Sequence, residues 1–480
     1  MMRARVVAAL ALSAPARAWP HAFDDRYDLP APLSYFVIGA SAVVVFSFVA
    51  AELFVNVAAP APATPARTVA LGFLLPMLRF AGGVIALLLF ALTIVAGLFG
   101  TGDPLMNMAP TMVWIVSWVG LSLLVACIGN VWPALDPWRT LFSILDAAAR
   151  CLGRTGGIAL NWTYPQLLGA WPAVALLLAI AWFEVVYPQA AVPYRLACAL
   201  IGWSALTLAG MIAFGRETWQ RNADVFAIYF ATLGRFAAFA GASDTRSLLV
   251  RSPGSGLVAA RADSTAMVAF VIAMLSTVLF DGLLSGELWR VIQNQLARAL
   301  PLLVDSNGYM IGAAGLAGVW LAFLAAYVLT CLITTWVARE RDVAVVARAF
   351  AFTLVPIAIA YNLAHNAANL IMQMQLLIPL ASDPLGIQWN LFGTVNYRPA
   401  IGLIDARLSW FIAIGAIVAG HVVSIWLAHH VALREYGTAR RAVVATIPLA
   451  ALMVIYTVVS LSVIAEPMVK FDAPAAVISR

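Results

Sequence analysis

Residues 360–384 read AYNLAHNAANLIMQMQLLIPLASDP. The stretch is long and apolar enough to cross a bilayer. Yet Asn362, His365, Asn366, Asn369 and Gln373 interrupt it, and it ends in Ser382-Asp383-Pro384. Offsets of 0, 3, 4, 7 and 11 place all five polar residues on one side of a helix. A membrane helix with a continuous hydrogen-bonding stripe lines a cavity or bonds across to its neighbours.

The rest of the chain supports reading that helix as one of many. Of 480 residues, 63% are hydrophobic and 10% charged, too little charge for the surface of a soluble protein. Bilayer-length apolar runs recur along the chain. They are continuous rather than alternating, which selects helices over a barrel. The fold class is therefore all-α, a polytopic transmembrane helix bundle. About ten spans fall near 33–56, 80–100, 111–131, 171–188, 194–214, 264–285, 311–336, 351–378, 408–428 and 443–465.

Arg3 and Arg5, the short apolar run Val6 to Leu12, and Ala16-Arg17-Ala18 form the three parts of a cleavable signal peptide over 1–18. The mature chain then begins with a periplasmic segment, 19–32. The membrane domain covers 33–465, with cytoplasmic loops at 132–170 and 215–263, and a periplasmic tail covers 466–480. This topology puts 17 basic residues inside and 8 outside, as the positive-inside rule requires of a bacterial inner-membrane protein. The net charge of +6 is thus a topology signal and implies no nucleic-acid partner. Pro137 to Arg154 and Arg216 to about Ala240 read as helices lying in the headgroup layer or packed on the bundle. Gly241 to Arg261 reads as a flexible loop. Cys127, Cys151, Cys198 and Cys331 are scattered, with no metal or disulfide spacing.

Ionisable residues inside spans are costly and mark function or pairing. They are Glu52, Glu184, Asp281, His365 and His421. His365 and His421 fall halfway along consecutive antiparallel spans. Glu184 and Asp281 fall toward the periplasmic ends of theirs, with Asp383 just beyond the eighth span. A periplasm-facing cavity lined by Asn362, Asn366, Asn369, Gln373 and Asp383, with Asp281, Glu184 and His365 as catalytic groups, follows from those depths. Glu52 reads as structural, paired with an arginine, and His429 and His430 as interfacial residues.

HAFDDRYDLPAPLSYF (21–36), GNVWPALDPWRTLF (129–142), LFDGL (279–283), AYNLAHNAAN (360–369), QLLIPLASDPLGIQWNLFGT (375–394) and GHVVSIWLAHHVAL (420–433) resemble a family of bacterial polytopic membrane proteins commonly labelled fenitrothion hydrolase. The resemblance implies hydrolysis of organophosphate triesters. It runs from the mature N-terminus to the ninth span. It departs after the histidine, where this chain reads NAANLIMQMQ instead of an aromatic-rich segment.

Such hydrolysis needs an activated water and a polarised phosphoryl group, which a divalent metal supplies. His365, His421 and Asp281 are ligand types for zinc or another first-row metal. Two other readings use the same residues. Paired mid-membrane histidines suit a b-type haem in a redox complex with a second membrane subunit. A polar stripe on a helix interrupted at Pro356 suits a small-molecule transporter.

Overall fold

Ser264 caps the helix at the centre of the molecule, its hydroxyl accepting from the Met267 amide. The computed structural model describes residues 32–54, 67–242, 246–305, 307–340 and 342–465. The expected signal peptide over 1–18, the expected periplasmic segment up to residue 31 and the tail 466–480 lie outside the described residues. The helices are α1 (Leu33–Phe54), α2 (Leu74–Phe99), α3 (Met108–Cys127), α4 (Pro137–Cys151), α5 (Trp171–Val185), α6 (Pro193–Phe214), α7 (Arg216–Asn222) and α8 (Val225–Gly234). They continue with α9 (Thr265–Leu284), α10 (Glu287–Ala299), α11 (Tyr309–Ala338), α12 (Val343–Ser382), α13 (Ala406–Tyr436) and α14 (Ala439–Ala465).

Among the described residues, nine helices are long and apolar enough to cross a membrane: α1, α2, α3, α6, α9, α11, α12, α13 and α14. The expected fourth span is α5, apolar but only 15 residues long. At 1.5 Å per residue it measures about 22 Å, short of the ~30 Å hydrocarbon core. With α5 as a tenth crossing, consecutive spans alternate in direction. Backbone contacts fit that alternation. Thr101 and Met108 bond to the carbonyls of Leu385 and Pro384 at one end of the bundle. At the other, Arg348 bonds to the Ala262 carbonyl and Arg261 pairs with Glu435. This second end is the arginine-rich face.

Burial sorts the spans into layers. In the apolar window of α9, 83% of residues are buried, against 11% in α1. The central α9 therefore turns almost every side chain toward protein, while α1 leaves Tyr35, Ile38 and Phe46 on its outer surface. Around α9 pack α5, α11 and α12, and α12 lies in turn along α13. Gly420 makes the last contact possible. A β-carbon there would come within 2.4 Å of the Ala360 β-carbon and 2.9 Å of the Pro356 carbonyl.

On the arginine-rich face one expectation changes and one open choice is decided. The segment read as a flexible loop begins at the end of β2 (Phe239–Gly241) and holds β3 (Ser247–Val250) and a short helix, Ser255–Ala259. With β1 (Arg67–Ala70) the two strands form an antiparallel sheet in the order β1-β3-β2. Arg251 fastens the segment by donating to the carbonyls of Gly234, Arg235 and Ala237. Chain closure by a single side chain is invisible to a composition reading. Of the two placements expected for the Arg216–Ala240 segment, α8 takes the second: it packs in the bundle and buries seven of its ten residues. Phe226, Tyr229 and Phe230 pack on Trp118, Trp132 and Trp138, with ring centroids 4.9–6.3 Å apart. Aromatic area of this kind strongly favours burial over the headgroup layer. By contrast α4 has the amphipathic form expected, burying Pro137, Trp138 and Phe142 and exposing Ile144 and Leu145.

Asp136 and Asp224 cap α4 and α8, accepting from the amides of Arg139 and of Phe226 and Ala227. Burial pushes Asp136 up to about 6 and Asp224 up to about 7 from an ordinary value of 3.8. The fold therefore holds more protons than the unfolded chain between about pH 4 and 7. Stability from this pair is full below pH 4, falls as pH rises through that window, and is flat above it. Asn caps as well as Asp and does not titrate. In detergent, Asp224→Asn is expected to flatten the fall in melting temperature between pH 4 and 7, gaining on the order of 1 kcal/mol at pH 7. An unchanged slope would remove Asp224 as its source.

Candidate functional site

The site assembles from four spans and α8. On α9, Met274, Thr277, Val278 and Asp281 follow one another at helical spacing on one side. On α12, Asn362 and Asn366 are one turn apart, and the Asn366 amide donates to Asn362 Oδ1 at 3.4 Å. Trp118 comes from α3, Glu184 from α5 and Tyr229 from α8. Together these residues line a small internal cavity. The space open to the centre of a water molecule is about 20 Å³, room for about one water.

Local backbone irregularities surround this cavity. In α3, Thr111–Gly120 is wound with i→i+5 bonds, and this segment delivers Trp118. Wide turns of this kind concentrate at functional sites. In α12, the regular winding breaks over Ala351–Leu354 and resumes at Val355–Gln373, with Pro356 in its first turn, where no amide partner is required. A second tight turn, Met374–Leu376, follows the polar stripe. Membrane interiors tolerate such backbone where it is enclosed by protein or lines a cavity.

Asp281 is the hinge of the cluster. Its Oδ2 lies 2.8 Å from His365 Nε2. With Asp281 ionised, the Nε2–H donates. Glu184 and Asp281 line the same cavity and repel each other, with the Trp118 indole directed at Glu184. The Tyr229 hydroxyl stands beside Ser122 and Asn362. With both carboxylates ionised and the imidazole neutral, the cluster carries two negative charges. One bound proton halves that and a second cancels it. Net charge at this depth is costly.

Asp281 and Glu184 line the cavity with Asn362 and Asn366, and His365 joins them through Asp281 without lining the space itself. Asn369, Gln373 and Asp383 do not line the cavity. Asn369 and Gln373 lie farther along α12. Asp383 is buried and accepts from the amides of Ile387 and Gln388 at 3.0 and 2.7 Å, which makes it the anchor of the turn after α12. A carboxylate followed by proline marks such a turn as readily as a cavity, so spacing alone could not separate the two.

His421 is fully buried, but its ring packs on Tyr456 of α14, with centroids 5.6 Å apart. Among the described residues, no group of three or more His, Cys, Asp or Glu side chains is placed to hold a metal. A metal on His365, His421 and Asp281 therefore finds no gathered ligand set, and no step is derived through one. Glu52 pairs with His429 rather than with an arginine, at 2.9 Å, and Thr446 donates to the same carboxylate oxygen at 3.0 Å. His429 is 1% exposed, so it is a core residue and not an interfacial one. The extension of α13 to Tyr436 carries it into the bundle, beyond the boundary expected at 428.

The sequence reading missed Trp118, Tyr229 and Thr277. Thr277 was legible as one turn before Asp281 on the same side. Nothing in the sequence marked Tyr229, because its helix is too short to read as a membrane element. No protein-family model, curated protein or solved structure matches this chain.

Proposed function

We propose that the protein is a proton-coupled transporter of a small polar solute, with Glu184, Asp281 and His365 as its proton-exchanging site. The observation that carries this reading is the 2.8 Å Asp281–His365 pair, with Asp281 and Glu184 together lining a water-sized polar cavity. The breaks in α3 and α12 around that cavity support it, since transporters build central sites from discontinuous helices. Solute contacts would come from Asn362, Asn366 and the Tyr229 hydroxyl. Alternating access would open the cavity to each side in turn.

The arginine-rich face is then cytoplasmic in a bacterial inner membrane, with the mature N-terminus periplasmic. Reporter fusions at Gly102 and Gly254 should read outside and inside. The same side for both would overturn the crossing pattern.

Hydrolysis is the second reading, favoured by one feature. The Asp281–His365 pair, with its Asp281 carboxylate on the water-sized space, would be the general base. An organophosphate triester far exceeds that space, so this reading requires the cavity to open toward lipid. One preparation tests both. Proteoliposomes carrying a trapped pH dye are challenged with a solute panel and, separately, with paraoxon. Solute-dependent proton uptake supports transport. Triester hydrolysis without proton movement across the membrane replaces it with the hydrolase reading.

A further inference from the structure

The lining of the cavity constrains the charge of whatever fits in it. Glu184 of α5 and Asp281 of α9 both border the space, and among the described residues that line it none is Lys, Arg or His. His365 stands behind the lining, against Asp281 Oδ2 at 2.8 Å. One proton held by that pair offsets one carboxylate and leaves the other uncompensated. A charge inside a span needs a partner, and the walls of this space supply none of opposite sign.

The remaining side chains select the kind of cation. An ionised carboxylate offers about four lone-pair sites, and each asparagine oxygen is a further acceptor. The donors are partly spent: Asn366 donates to Asn362 Oδ1 at 3.4 Å, and the Thr277 hydroxyl donates to the Ala273 carbonyl at 2.8 Å. The space is therefore richer in acceptors than in donors, which calls for an occupant that donates. Trp118 and Tyr229 also border it, and their rings stack with centroids 5.2 Å apart at 19°. Aromatic rings of these two kinds attract cations, Trp most strongly. The room is that of about one water molecule. A water has the size but not the charge. A quaternary ammonium has the charge but exceeds the space and carries no N–H. An ammonium ion meets all the conditions: it is water-sized, positive, and carries N–H donors on every side.

We infer that the solute is a small ammonium ion, either ammonium itself or the –NH₃⁺ head of a primary amine, held between Glu184, Asp281 and the Trp118 and Tyr229 rings. The inference rests on the proton-site reading of Asp281 and His365. One proton on that pair and one cation beside Glu184 balance the two carboxylates, so solute and proton occupy the cluster together. The cation enters already charged, and no covalent bond is made or broken. The carbon chain of an amine lies beyond the water-sized space and is accommodated when the cavity opens.

Melting temperatures of the purified protein in detergent test this. Ammonium, methylammonium or potassium chloride is raised stepwise while tetramethylammonium chloride keeps the ionic strength constant, so screening is the same in every sample. A ligand that binds only the folded state raises the melting temperature in a concentration-dependent way. Ammonium should do so at a concentration about tenfold or more below that at which potassium has the same effect. An equal response to methylammonium assigns the site to amine heads, and a response to ammonium alone assigns it to the free ion. Glu184→Gln keeps the size and an acceptor oxygen and removes the charge, so it should raise the ammonium concentration required by about tenfold or more. The comparison of ions in the wild type stands even where that variant fails to fold. No rise with either ammonium salt, an equal rise with potassium, or an unchanged ammonium response in folded Glu184→Gln would overturn the inference. Titration of the Asp281 carboxyl ¹³C signal, assigned by its loss in Asp281→Asn, separates the two readings. A titrating signal without an ammonium response defeats only the cation site. A signal that never titrates defeats the proton-site reading and with it the joint occupancy of solute and proton.

Discussion

Asp281→Asn is expected to abolish proton-linked turnover while leaving the protein folded and inserted. The asparagine oxygen can still accept from His365 Nε2, so the 2.8 Å contact and the packing of α9 on α12 are retained. What disappears is a group able to take and release a proton. Loss of a positioned acid or base costs ~10²-fold or more in rate. His365→Gln should fall as far, because it leaves Asp281 without the imidazole that shares its proton. Glu184→Gln should fall less far if Glu184 serves to repel charge from Asp281, and equally far if it carries the proton itself. Solute-driven dye quenching at matched protein levels reads all three. Wild-type rates in Asp281→Asn would mean that the pair is packing, and the proposed site would be lost. The same variants assayed with paraoxon decide the hydrolase reading, in which His365 is the base and must fail together with Asp281.

The parts of this architecture that were legible in the sequence share one property: they follow from periodicity. The polar face of α12, the coincident depth of Asp281 and Glu184, and the alternation of spans all come from counting along helices. What was not legible depends on contacts between segments distant in sequence. Glu52 and His429 are 377 residues apart, and no spacing rule connects them. His365 and His421 lie on paired helices, yet the pairing leaves rotation undetermined. Gly420 is the α13 residue that packs on α12, while the next residue, His421, packs on Tyr456 of α14. The short helix α8 escaped for a different reason. At ten residues it is too short for a span, and its aromatic residues suit an interface as well as a core.

The second large effect is expected at Glu52 and His429. Their side chains are 10% and 2% exposed, and Glu52 Oε1 collects both the His429 imidazole and the Thr446 hydroxyl. A carboxylate that accepts makes His429 Nδ1 the donor. Glu52→Leu therefore strips the buried His429 N–H of its acceptor and takes one of Thr446's. The cost should be roughly 3 kcal/mol, the scale for removing one partner of a buried polar or ionic pair. His429→Leu leaves the carboxylate with only Thr446 and should cost a comparable amount. The double variant distinguishes a pair from two independent losses. Apolar replacement of both partners is often close to neutral, because no stranded polar group remains. Thr446 can still bond within its own helix, to the carbonyls of Ala442 and Val443, so it is not stranded by the loss. Thermal melts of the two single variants and the double variant in detergent should then give a double-mutant loss well below the sum of the singles. Additive losses would show that the two residues contribute separately. A nearly neutral Glu52→Leu would show that the buried carboxylate contributes little to folding, and would leave its 2.9 Å contact with His429 in need of a functional explanation.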